Sequence, residues 1–161
     1  MMPQVHIEQA LHALRSARIL SVANEYDGAC NRAYYAAFHA AHAALVWCGA
    51  IPEDSGVIKS HAGLISQFSK NLVLTGVFTS DVARRIATIK SSRSDADYFG
   101  GVKEEEVVAQ AVESATLFVM EVIGKFNPEM TLPEWYLGDP FSIKDQPNNR
   151  SELDYYIDLK E

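Results

Sequence analysis

Val108, Val112, Ala115, Val119, Val122 and Phe126 recur at alternating steps of four and three. That spacing lays one apolar stripe along an α-helix, and a stripe so continuous has to be buried against other elements. The segments before it offer helices as partners. Ile7, Ala10, Leu11, Leu14 and Ala17 mark a first amphipathic helix, with a break expected near Asp27-Gly28. A second helix runs to Cys48-Gly49, where glycine suits a C-terminal cap. Ile51-Pro52-Glu53-Asp54-Ser55-Gly56 reads as a loop, and a third helix is expected over roughly 58–73. Thr75-Gly76 ends it, and Thr79 or Ser80 can cap a fourth helix whose seam is Val82, Ile86 and Ile89. Gly100-Gly101 closes the fourth, and Glu104, Glu105 and Glu106 suit the positive N-terminal end of the fifth. The chain is therefore expected to be all-α, an antiparallel up-and-down bundle of about five helices over residues 1–126. An irregular tail, 127–161, carries four of the six prolines.

The second helix is unusual in content. Between Asn31 and Leu45 it sets an amide, a guanidinium, two phenols and two imidazoles among alanines and apolar residues. Alanine secures the helix. Asn31, Tyr34, Phe38, Ala41 and Leu45 form one stripe, with Arg32, Tyr35, His39 and His42 on or beside a neighbouring one. A helix carrying so many hydrogen-bonding groups beside its seam is expected to serve a polar groove or a partner as well as a core.

Composition narrows the function classes. No apolar run approaches the roughly 20 residues of a bilayer span. The opening Met-Met-Pro-Gln-Val-His lacks a secretory leader's features, so the cytoplasm is the expected location and no membrane partner is expected. Cys30 and Cys48 fall roughly 27 Å apart on one helix, too far to bridge. They read as buried small hydrophobes. The net charge of −7 is uneven: the tail holds eight acids and three bases, leaving thirteen acids and eleven bases in the body. Within that body Arg84, Arg85, Lys90 and Arg93 form a basic cluster compatible with a phosphate-binding patch.

Three separated motifs carry a family resemblance. Asn31-Arg32-Ala33-Tyr34-Tyr35-Ala36-Ala37-Phe38, then Ser60-His61-Ala62-Gly63-Leu64, then Arg93-Ser94-Asp95-Ala96-Asp97-Tyr98 resemble, in order, the landmarks of small prokaryotic HEPN-domain proteins (higher eukaryotes and prokaryotes nucleotide-binding). The resemblance covers roughly residues 5–126. It implies a helical bundle that commonly forms a homodimer and is often paired with a minimal nucleotidyltransferase as a toxin–antitoxin system. It also implies RNA as the substrate of a metal-independent endoribonuclease with an Arg-x(4–6)-His motif on the helix that here carries Arg93. In this chain no histidine follows Arg93 in that window; Asp97 and Tyr98 stand there instead.

Several readings of the chemistry stay open. Arg93 interrupts an apolar seam, and with Asp97 it is an i,i+4 ion pair, a phosphate-facing group or a catalytic one, with Tyr98 beside them. Arg32 and His39, two turns apart, form a second candidate pair, an arginine to hold phosphate and an imidazole to move a proton; the plainer reading has Arg32 and Tyr35 satisfying acids on adjacent helices. Asn31, Tyr35, His61, Arg84, Arg85 and Lys90 are candidate contacts of an RNA or ligand groove. His39, His42 and His61 lack the further ligands zinc generally wants, so neither a metal nor another cofactor is expected. A non-catalytic dimeric interaction module is the alternative function. The tail either folds over the basic cluster and shields it or covers an apolar seam, with Trp135 and Tyr136 as anchors.

Overall fold

The computed structural model describes residues 2–53, 60–98, 105–134 and 136, with the backbone alone for 93–98. Five α-helices follow in order: α1 (Pro3–Val22), α2 (Tyr26–Trp47), α3 (His61–Phe68), α4 (Ser80–Tyr98) and α5 (Glu105–Phe126). No strand occurs among the described residues. A π-helical turn, Ser69–Val73, prolongs α3, with the Leu74 amide donating to the Ser69 carbonyl at 2.9 Å.

Aromatic contacts fix the helix directions. Trp47 at the end of α2 stacks on Phe126 at the end of α5, with centroids 5.7 Å apart. Phe78, just before α4, meets the same Phe126 ring edge-on at 6.0 Å. α2 and α5 therefore finish where α4 begins. His6 near the start of α1 stacks on His42 late in α2, so α1 and α2 are antiparallel. α1 and α4 run one way, α2 and α5 the other, which is the up-and-down bundle expected.

The break between α1 and α2 falls at Asn24, not at Asp27-Gly28. Asn24 takes φ 60°, its amide donates to the Ser21 carbonyl, and the Glu25 amide donates to the Leu20 carbonyl. This is a Schellman cap with asparagine in the left-handed position that glycine more often fills. Gly28 lies inside α2, where a Cβ would come within 3.2 Å of the Leu20 side chain. The same cap recurs at Gly49, with φ 80° and the Ala50 amide on the Leu45 carbonyl.

α2 is the central helix. Its alanines 29, 33, 36, 37, 40, 41, 43 and 44 are all buried, together with Tyr34, Phe38, Leu45 and Val46. Burial thus extends well beyond one stripe. Cys30 is buried as expected, but Cys48 is exposed because it sits at the C-cap, past the last buried turn. The α5 seam is buried from Val108 to Val122, and Phe126 is half-buried under Trp47. By length and composition α5 would suffice to cross a membrane, but half of its most apolar stretch is inside the bundle, as befits a core helix.

Candidate functional site

Tyr34 lies on the buried side of α2 and is 2 % exposed. A phenol there needs a partner for its hydroxyl. The partner is His61, the first residue of α3, whose Nδ1 lies 2.5 Å from Tyr34 Oη. Ser60 caps α3, its Oγ accepting from the Gly63 amide at 3.1 Å, so the turn presenting His61 is fixed. The imidazole stacks on Tyr34 at 5.0 Å and packs against Phe38 at 4.8 Å and edge-on to Tyr35 at 6.2 Å. Asn31, Arg32, Tyr35, His39 and His61 are all half-buried. The Arg32 guanidinium lies 4.8 Å over the Tyr35 ring, a cation–π contact that holds the cation. Arg32, Tyr35, Tyr34 and His61 thus form one contiguous set across α2 and α3.

His39 links this set to a second cluster, its ring 6.3 Å from that of Tyr35. Its ring lies 6.5 Å from His6, which itself stacks on His42 at 5.0 Å and 10°. The Nδ1 atoms of His6 and His39 are buried without a hydrogen-bond partner among the described residues. Burial, then the nearby His6, then Arg32 depress the His39 pKa to about 4, and burial lowers that of His6 as well. His39 is therefore neutral at physiological pH, a poor phosphate contact whose chief surroundings are rings.

This has a consequence for stability. An unfolded His39 takes up a proton near 6.5, whereas in the fold it resists doing so down to about 4. Above 6.5 neither state is protonated and folding carries no cost from this group; as pH falls from 6.5 toward 4 the unfolded chain binds the extra proton and gains ground. Wild type should lose melting temperature across that window faster than His39→Gln. Parallel melting curves against pH would contradict the assignment.

The basic residues of α4 divide. Arg84 is exposed and pairs with Asp81 at 3.2 Å. Arg85 is turned to α5 and forms an ion pair with Glu121, each about a third exposed. Lys90 is exposed. The side chains of Arg93, Asp97 and Tyr98 lie outside the described residues, but the place of Arg93 on α4 is fixed. It is thirteen residues beyond Ser80, and Tyr34 is thirteen before Trp47. At 1.5 Å per residue each lies about 20 Å from the shared end of the bundle, so the backbone position of Arg93 is level with Tyr34. Among the described residues no group of three or more His, Cys, Asp or Glu could hold a metal ion. A cavity between α1 and α5, lined by Arg18, Val112, Glu113 and Thr116 among others, involves none of the candidate residues.

Two residues of these clusters escape a reading by helical stripe alone. Tyr34 fell on the buried stripe, where its hydroxyl was the signal that a polar partner must reach it. His6 lies on α1, and nothing within its own helix points to α2.

Sequence comparison with known proteins identifies the family. Residues 3–125 match the family model described as HEPN domain. A protein of Methanocaldococcus jannaschii named "Putative toxin MJ0605" is 34 % identical over 116 residues, 72 % of this chain and 82 % of that protein. "UPF0332 protein glr0978" of Gloeobacter violaceus is 33 % identical over 94 residues, 58 % of this chain and 70 % of that protein. No solved structure matches the chain significantly. With the model covering most of its length and the bundle in place, the chain belongs to the HEPN-domain family.

Proposed function

We propose that this protein is the toxin-like member of a pair, a cytoplasmic homodimer that binds RNA along the α2–α3 face, cleaves it without a metal, and acts with a nucleotidyltransferase partner. The observation that carries this reading is the juxtaposition of Arg32, Tyr35, Tyr34 and His61 at the level of Arg93. Two arginines from different helices give cations for successive phosphates, and the half-buried rings give a surface on which bases stack. The name of the archaeal relative supports the toxin-like part of the reading. Arg85, engaged with Glu121, contributes to the α4–α5 contact rather than to the groove.

The test is incubation of the purified protein with total RNA in EDTA, alongside Arg93→Ala and Arg32→Ala. Wild type should produce fragments under chelation, and Arg93→Ala should lose roughly 10²-fold in rate, the usual cost of removing one preorganised charge donor. Full activity in Arg93→Ala beside inactive Arg32→Ala would move the reaction to the Arg32–His39 side. Sedimentation at tens of micromolar should give a dimer mass; a strictly monomeric mass would remove that part of the proposal.

A further inference from the structure

The cavity between α1 and α5 has a volume of about 340 Å³ and is lined by Arg18, Ala109, Val112, Glu113, Thr116 and Leu117, among others. An apolar cavity of about 150 Å³ already takes up a benzene ring, so this one has room for two sizeable side chains. We infer that residues 137–143 of this same chain fill it, with Phe141 and Ile143 inserted between the two helices.

The direction of the tail carries the inference. The chain leaves α5 at Phe126, and Met130, Leu132 and Tyr136 pack in turn against the core. Tyr136 then donates to the Thr116 carbonyl, about 15 Å back along α5 from Phe126. The tail thus runs antiparallel to α5, towards the first turns of that helix. Val112 and Ala109 lie one and two turns further in the same direction, and Thr116 itself lines the cavity. Tyr136 therefore stands at the edge of this space, and the course of the chain leads into it.

The residues that come next have the reach and the chemistry. From Tyr136 to Phe141 an extended chain covers up to about 17 Å, whereas Thr116 and Ala109 are separated by about 10 Å of helix. Gly138 and Pro140 suit a bend on the way. Phe141 and Ile143 are alternate residues, so an extended stretch sends both to one side and Ser142 to the other. Val112 and Leu117 offer them apolar surface, and docking takes both sides of that contact out of water. A segment held there ties the last turns of α1 to the first turns of α5.

The full chain carries the test, in a Cys48→Ser background that leaves only the buried Cys30. Ser142→Cys combined with Ala109→Cys should be joined within one chain by a short bismaleimide, because both thiols would stand at the rim of the cavity. The same reagent should spare Ser142→Cys combined with Ala87→Cys, since Ala87 lies on the exposed face of α4. Phe141→Ala should lower the melting temperature by roughly 5–10 °C, as loss of a packed aromatic does in a chain of this length. In a Leu117→Ala background the same change should lower it by less, because the effects of residues in contact do not add. Equal linking at both sites, or none at Ala109→Cys, overturns the docking. So does a Phe141→Ala protein that melts at the wild-type midpoint. Links between two chains in place of links within one would give the cavity to the tail of a second copy and overturn the intrachain inference.

Discussion

Val119→Asp should abolish the cooperative thermal transition of this protein. Val119 is fully buried at the middle of α5, next to Phe118, whose ring lies 5.5 Å from Phe68. A carboxylate at 119 would be buried within the hydrophobic core cluster. Leaving a charge so placed costs several kcal/mol, about 3–5 by comparison with broken buried pairs, on top of the lost valine packing. A domain of this size holds about 5–15 kcal/mol in total, so the variant loses most of its margin. Val119→Ala separates packing from charge, because it removes only two methyl groups and should cost about 2 kcal/mol with cooperativity intact. Circular dichroism against temperature reads both. A sharp melt of Val119→Asp near the wild-type midpoint would mean that α5 is not the centre of the bundle.

That centre was legible because its signal is periodic. The α5 seam repeats over five turns, and no strand or loop could bury it. The Schellman glycine at 49 was legible for a related reason, since a left-handed residue after a long helix favours glycine. The α1–α2 break was misplaced because Asp27-Gly28 looks more like a turn than Asn24 does. What decides it is asparagine's tolerance of the left-handed region, together with the space that only Gly28 leaves for Leu20 inside α2. The central place of α2 was hidden by its alanines, which suit a buried and an exposed face equally. The π-helical turn after Phe68 leaves no mark in composition; it shows only in a hydrogen bond five residues long, from Leu74 to Ser69.

The site was legible by residue type and not by contact. The motifs at 31–38, 60–64 and 93–98 brought the relevant helices to notice, but pairings such as Tyr34 with His61 span 27 residues and follow from packing alone. The reach of His39 beyond Arg32's groove is likewise a packing result. Both lie beside Tyr35, but His39 also meets His6 across the α1–α2 contact. The α4 cations show the same limit. Arg84 and Arg85 are adjacent in sequence and about 100° apart on the helix, so one meets solvent and Asp81 and the other meets Glu121 on α5.

Removing the chain after Asn127 should destabilise the body more than it alters RNA binding. The described part of the tail returns along α5 and buries Tyr136 completely, its hydroxyl donating to the Thr116 carbonyl at 2.5 Å. Burial holds this phenol protonated well above its ordinary range, which suits a permanent donor. Arg18 of α1, itself only 7 % exposed, is close enough to interact with it electrostatically. Tyr136 thus covers the seam between α1 and α5, whereas Trp135 lies outside the described residues. Tyr136→Ala should cost about 3–5 kcal/mol, as aromatic deletions from cores do, or roughly 10 °C in a chain of this length. Tyr136→Phe should cost less, about 1 kcal/mol for each hydrogen bond the hydroxyl loses. Truncation after Asn127 should match or exceed the alanine variant. RNA affinity at low salt distinguishes covering from shielding, because phosphate neutralisation dominates such binding and an acidic strap over Arg84 and Lys90 would oppose it. A truncated protein that melts like the full chain but binds RNA more tightly would place the tail's work on the basic residues of α4 instead.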